Sequence, residues 1–208
     1  MAKLKWTVLL AIFMIIKYAY SIPDDIETPN KRILLISNSE RGQANIFLAT
    51  SQALLTNYPS VEIHWLSFPG LSDAVATVSE STAPQNAHPI IFHQINGTAY
   101  LDKVAENGIN VSDLPRPPGV FGALSGFKNL PTLYVPWNGS EYMAIYNDIT
   151  RTIEKVDPGL VVLDTMFTPA QDAVRQLQRE HVLLSPNSLR DFSVASQPRG
   201  EMFWKFPV

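Results

Sequence analysis

Hydrophobic positions follow two alternating patterns along this chain. Short runs that are apolar at every position give way to longer stretches in which apolar residues recur every three or four positions. The first run is Lys31-Arg32-Ile33-Leu34-Leu35-Ile36-Ser37, whose lack of in-out alternation predicts a strand covered on both faces. After it, Ile46, Phe47, Thr50, Ala53 and Leu54 share one face of a predicted helix that stops near Asn57 to Pro59. Val61 to Ser67 and Pro89 to Ile95 are further β-rich runs, with a weaker helical stretch around Ser72 to Ser79 between them.

From Asn107 to Trp137 both patterns break down. Pro115, Pro117, Pro118, Pro131 and Pro136 stand among Gly108, Gly119, Gly122 and Gly126, which predicts a long irregular excursion. Regular structure resumes with Tyr142, Tyr146, Ile149 and Ile153 on one helical face, where Asn138 and Glu141 have the spacing of a capping pair. The clearest unit is last. Leu160-Val161-Val162-Leu163-Asp164 reads as a buried strand, Thr168 and Pro169 as the N-cap and first-turn proline of a helix, and Ala170, Ala173, Val174 and Leu177 as its buried face. His181-Val182-Leu183-Leu184-Ser185 is the next strand. Strands alternating with helices predict an α/β fold, a Rossmann-like doubly wound and mostly parallel sheet, with Ile33 to Ser37 and Leu160 to Leu163 as interior strands. Ligands of such sheets sit at the carboxyl ends of strands. The turns after Ile36 and Leu163 are therefore the places to look for function.

Composition narrows the choices. The 208 residues suffice for one sizeable core and are few for two domains. A net charge of -3, without a basic cluster or basic-aromatic stripe, leaves no footprint for nucleic acid. The absence of cysteine excludes disulfides, thiol nucleophiles and Cys-ligated metal. His64, His88, His93 and His181 are too scattered for a metal spacing, so no metal is expected. Lys3 and Lys5 precede the apolar run Trp6 to Ile16, and Ala19-Tyr20-Ser21 supplies small residues for cleavage. The apolar run is far shorter than the ~20 residues that span a bilayer. Residues 1–21 are thus expected to be a signal peptide cleaved after Ser21, or else a retained signal anchor, and residues 30–208 a single domain. Either way the body faces the endoplasmic reticulum lumen or is secreted. N-glycosylation sequons at Asn96, Asn110 and Asn138 agree with that side of the membrane, although Asn138 can hardly both cap a helix and carry a glycan.

Several chemistries are missing their motifs. Gly42 stands alone in the turn after the first strand, where a dinucleotide site needs G-x-G-x-x-G and a phosphate loop G-x-x-x-x-G-K. Gly122-Ala123-Leu124-Ser125-Gly126 places its serine one position late for a hydrolase elbow. What remains is Asp164 at the end of an apolar strand. Such an aspartate can simply accept neighbouring backbone N–H groups, or it can serve a partner from another strand end.

The strand Ile33 to Ser37, the segment "RGQANIFLATSQAL" and the series "PGLVVLDTMFTPAQDAVRQL" and "HVLLSPNSL" resemble the amino-terminal half of family 1 UDP-glycosyltransferases. The resemblance covers most of Lys31 to Pro207 and implies the acceptor-side domain of a GT-B type fold. In that family the first turn commonly reads G-H-x-N-P, with the histidine as general base towards the acceptor hydroxyl and a later strand-end aspartate orienting it. Gly42 and Asn45 match that pattern, Gln43 stands at the histidine position, Ile46 at the proline, and Asp164 at the aspartate. Gln43 cannot accept a proton at neutral pH.

The resemblance further implies that Gln43 and Asp164 occupy the catalytic positions, with Asn45, Phe167 and the Asn107 to Trp137 segment towards a small, largely apolar hydroxylated acceptor. A UDP-sugar would be co-substrate, not cofactor, and in the family it is held by a carboxyl-terminal domain whose donor motif has no counterpart here. The apolar, aromatic ending "EMFWKFPV" fits a chain interrupted on its way to such a domain, or a segment that folds back on its own core. The expected partners are the acceptor and a carboxyl-terminal donor domain or full-length relative. Two rivals stand beside this reading: a non-catalytic binding or regulatory module derived from the same fold, and an unrelated lumenal α/β enzyme using His93 near a strand end.

Overall fold

The computed structural model describes residues 30–110 and 120–187. The leader (1–21) and the ending "EMFWKFPV" lie outside the described residues. The elements are β1 (Arg32–Ile36), α1 (Arg41–Asn57), β2 (Glu62–Ser67), α2 (Ser72–Thr82), β3 (Ile91–Gln94), α3 (Tyr100–Glu106), α4 (Val120–Tyr134), α5 (Gly139–Val156), β4 (Leu160–Asp164), α6 (Thr168–Gln176) and β5 (His181–Leu184).

The strands form one five-stranded sheet in the order β3-β2-β1-β4-β5. Every pairing is parallel. The continuous apolar runs of β1 and β4 are explained by their interior places: Leu34, Leu35 and Ile36 face opposite sides in turn, yet all three are wholly buried. Leu35, Ile63, Trp65 and Val162 pack on one side with Ala44, Phe47 and Leu55 of α1 and Val75 of α2. Leu34, Ile36, Leu66, Val161 and Leu163 pack on the other side with Ile145, Ile149 and Ile153 of α5 and Ala170, Ala173 and Val174 of α6. The sheet is doubly wound, as expected, and the strand order reverses between β1 and β4. That reversal opens a crevice at the carboxyl ends of the two strands.

Four local expectations change. The buried face of α1 is Ala44, Phe47, Ser51 and Leu55, while Ala53 is exposed. Ser51 can be buried because its hydroxyl donates to the Phe47 carbonyl at 2.8 Å, a polar solution that apolar periodicity does not register. Part of the expected excursion, Val120 to Tyr134, is helical despite Pro131. Pro131 falls in the last turn, where the loss of its N–H and the clash of its ring are felt by one turn only. Thr168 is the first residue of α6, and Phe167 occupies the cap position without a side-chain cap. On α5 the buried stripe is Ile145, Ile149, Ile153 and Val156, with Tyr142 and Tyr146 at its rim.

The start of α5 matches the expected capping pair. Asn138 Oδ1 accepts from the Glu141 N–H at 2.9 Å, and Glu141 Oε2 accepts from the Asn138 N–H at 2.9 Å. The chain between α5 and β4 passes so close to Asn30 that a Cβ on Gly159 would lie 2.5 Å from the Asn30 carbonyl oxygen. The entrance to β4 therefore needs glycine.

Candidate functional site

The carboxyl ends of β1 and β4 carry the candidate site. β1 leaves the sheet through Ser37 and Asn38, both buried. Ser37 is pinned by β2: its carbonyl accepts from the Ser67 hydroxyl at 2.8 Å and its hydroxyl from the Trp65 indole N–H at 3.1 Å. One residue further, the Asn38 N–H points to Asp164 Oδ2 at 3.5 Å, a long contact. Asp164 Oδ1 accepts a better bond, 2.9 Å, from the Met166 N–H. The carboxylate is wholly buried, and burial pushes its pKa upwards while the Met166 and Asn38 N–H groups oppose the shift. Asp164 thus does accept neighbouring backbone N–H groups, but weakly on the side that faces the turn after β1.

That turn is rich in acceptors without donors. Asn38 Oδ1 and Gln43 Oε1 are both buried and have no hydrogen-bond partner among the described residues. Glu40, at the cap position of α1, is half-buried, with Oε1 accepting from the Leu101 N–H at 3.1 Å. Burial, then Asp102 and Asp164, push its carboxyl above the usual carboxylate range against the effect of the Leu101 bond. The negative field extends to Tyr100, whose phenol is raised by burial and then by Glu40, Asp164 and Tyr134. Tyr100 donates its O–H to the Leu133 carbonyl at 2.5 Å. Under the edge lies an aromatic floor. Phe68, Trp137 and Phe167 pack with ring centroids 5.9 to 6.3 Å apart, and the Trp137 indole donates to the Thr98 carbonyl at 2.9 Å.

Gln43 and Asp164 accordingly lie at the same edge of the sheet, in the first turn of α1 and at the last residue of β4. Among the described residues no hydrogen bond joins their side chains. Asn45 is exposed, and Phe167 is fully buried in the floor. Asn96, Asn110 and Asn138 are all exposed. Asn96 Nδ2 donates to Asp148 Oδ2 at 3.0 Å, whereas Asn138 is engaged as the cap of α5. His93 lies away from the turns after β1 and β4, between β2 and its own strand. Its Nε2 is 2.9 Å from His64 Nδ1, and His64 Nε2 is 2.7 Å from Glu62 Oε1.

Sequence reasoning passed over Asn38, Glu40 and Tyr100. Glu40 had a readable signal: it precedes Gln43 by three residues, so the cap and first turn of one helix bring them together.

No family model matches the chain. In sequence it is 29% identical over 189 residues to the glycosyltransferase sdnJ of Sordaria araneosa, an alignment that covers 85% of this chain and 36% of that protein. The chain is glycosyltransferase-like. Its fold is shared with the Streptomyces sp. SF2575 glycosyltransferase SsfS6, at a TM-score of 0.51 and 14% identity, over 73% of this chain and 38% of that one. The calicheamicin glycosyltransferase CalG4 aligns at a TM-score of 0.49 and 16% identity, over 80% of this chain and 37% of that one. The glycosyltransferase-like chain thus spans about a third of the length of the relatives it matches. Its five-stranded parallel sheet with flanking helices is that of the amino-terminal Rossmann-like domains of GT-B glycosyltransferases.

Proposed function

We propose that this chain is the acceptor-binding half of a glycosyltransferase that moves a sugar from a UDP-sugar to a small hydroxylated acceptor. The observation that carries the reading is that buried Asp164 meets the Asn38 N–H at the switch point between β1 and β4, at the edge where α1 begins, and that the side-chain oxygens of Asn38 and Gln43 there have no partner among the described residues. Buried acceptors without donors are costly, so the site is built for a ligand that brings the donors. An acceptor hydroxyl has one to give. Gln43 orients that hydroxyl but leaves its proton in place, and Asp164 is the residue that would orient a base at position 43. The UDP-sugar acts as co-substrate, held by a carboxyl-terminal donor domain or a full-length relative.

The lack of a proton acceptor at Gln43 also favours a second reading, a binding or regulatory module without turnover. Joining residues 30–208 to a donor domain of known competence separates the two. UDP-dependent transfer by the chimera, absent from the 208-residue chain and from its Gln43→His variant alone, supports the catalytic half; acceptor binding with no transfer in the chimera supports the module.

The same proposal places the protein in the secretory pathway, on the strength of the lysine-flanked apolar leader. Peptide mass mapping should find Ile22 as the mature terminus, and an intact leader on a soluble cytosolic protein would overturn this.

A further inference from the structure

The turn after β1 offers more than one hydroxyl can use. Four side chains present oxygen acceptors there: Asn38, Glu40, Gln43 and Asp164. Two of the oxygens, Asn38 Oδ1 and Gln43 Oε1, have no partner among the described residues, and Asn38 is only 1% exposed. The other two groups are carboxylates: Glu40 caps α1 and accepts from the Leu101 N–H, with burial, then Asp102 and Asp164, raising its proton affinity, and Asp164 ends β4 against the Asn38 N–H. Among the described residues no ion pair reaches Glu40 or Asp164. Arg41 lines the groove between α1 and α2 with Asp73 and Thr77, and Lys103 bonds Glu106 at 3.0 Å and Glu141 at 2.6 Å. Gln43, neutral at the position where the resembling family carries imidazole, adds no competing positive charge.

We propose that this edge recognises an acceptor carrying a protonated amine beside its hydroxyl, with the ammonium seated among Glu40, Asp164 and the amide oxygens of Asn38 and Gln43. The inference rests on the acceptor-half reading and names the chemical class of its acceptor. An ammonium brings three donors and a positive charge, so it answers both deficits of the turn: unused acceptors, and carboxylates held together without a counter-charge. A hydroxyl answers part of the first and none of the second. The amine is the recognition group here, and the neighbouring hydroxyl remains the group that receives the sugar.

The test compares 2-amino-1-phenylethanol with 1-phenylethane-1,2-diol, two probes of one skeleton that keep the same hydroxyl and differ beside it by an ammonium in place of a second hydroxyl, in binding to the 208-residue chain by calorimetry at neutral pH. The amino alcohol should bind about tenfold more tightly, the difference between a charge-assisted and a neutral hydrogen bond. Glu40→Gln and Asp164→Asn should each shrink that preference, and binding of the amino alcohol should lower the Glu40 pKa followed by carboxyl NMR. Equal binding of both probes would overturn the amine inference and leave the acceptor-half reading intact. A preference that survives both substitutions would also overturn it. Binding of neither probe would sink both.

Discussion

Two clusters of polar side chains are set into the same sheet, and they are finished differently. Between β2 and β3, Glu62, His64 and His93 form a closed relay: carboxylate to imidazole at 2.7 Å, imidazole to imidazole at 2.9 Å, with the two ring planes within 14° of each other. One proton on each bridge satisfies both partners, so the relay asks for nothing from outside. At the carboxyl edge, Asn38 and Gln43 keep oxygens without a partner among the described residues, and Asp164 holds one bond of 2.9 Å and one of 3.5 Å. Both clusters have polar atoms withdrawn from water. Satisfaction is what separates them. A saturated cluster belongs to the architecture, whereas an unsaturated one at a sheet's switch point is the candidate place for a ligand to complete the structure.

Removing a member of the saturated relay should have the larger effect on stability. His64→Ala leaves Glu62 and His93 without their shared partner and opens a void beside the core, so urea unfolding should show a loss of about 2–3 kcal/mol. Asp164→Asn should change stability by less than about 1 kcal/mol, because the native carboxylate is under-satisfied to begin with. A loss from Asp164→Asn as large as that from His64→Ala would erase the distinction.

A smaller effect sharpens the contrast through pH. Burial, His64 and Lys155 lower the His93 pKa from 6.5, so its contribution to stability is present above that value and is lost as pH falls through the folded pKa. The Asp164 and Glu40 pKa values are raised from 3.8 and 4.5, so their contribution is full below those values and is lost as pH rises through the folded ones. Acidification should therefore weaken the relay and strengthen the edge. Unfolding measured across this range should lose its His93 component in His93→Gln and its opposing component in Glu40→Gln. If both variants shift the profile in the same direction, the two clusters are not the opposites described.

The fold was legible in the sequence where one pattern had one cause. Ile33 to Ile36 and Leu160 to Leu163 are apolar at successive positions because both strands are interior, and a short strand with no polar face needs cover on both sides. Legibility failed where polar or breaker residues took unexpected places. Ser51 is buried on α1 because it bonds its own helix, and Pro131 sits inside α4 because the last turn tolerates it. The site was half legible. Asp164 stood out as a lone charge at the end of an apolar strand, and Gln43 through a family resemblance, whereas Asn38 looks like an ordinary turn residue and Glu40 is marked only by its spacing to Gln43. Only three-dimensional placement shows that Asn38 lacks a partner and that Glu40 shares a field with Asp164.

The central claim is that residue 43 and Asp164 together face the acceptor hydroxyl, and one ratio tests it most directly. In the chimera with a competent donor domain, Gln43→His should raise transfer to alcohols by the roughly 10²- to 10⁴-fold typical of general-base assistance. Phenols, which part with their proton more readily, should gain less, and Asp164→Ala should abolish the alcohol gain. Equal gains for alcohols and phenols, or an alcohol gain untouched by Asp164→Ala, would contradict the account.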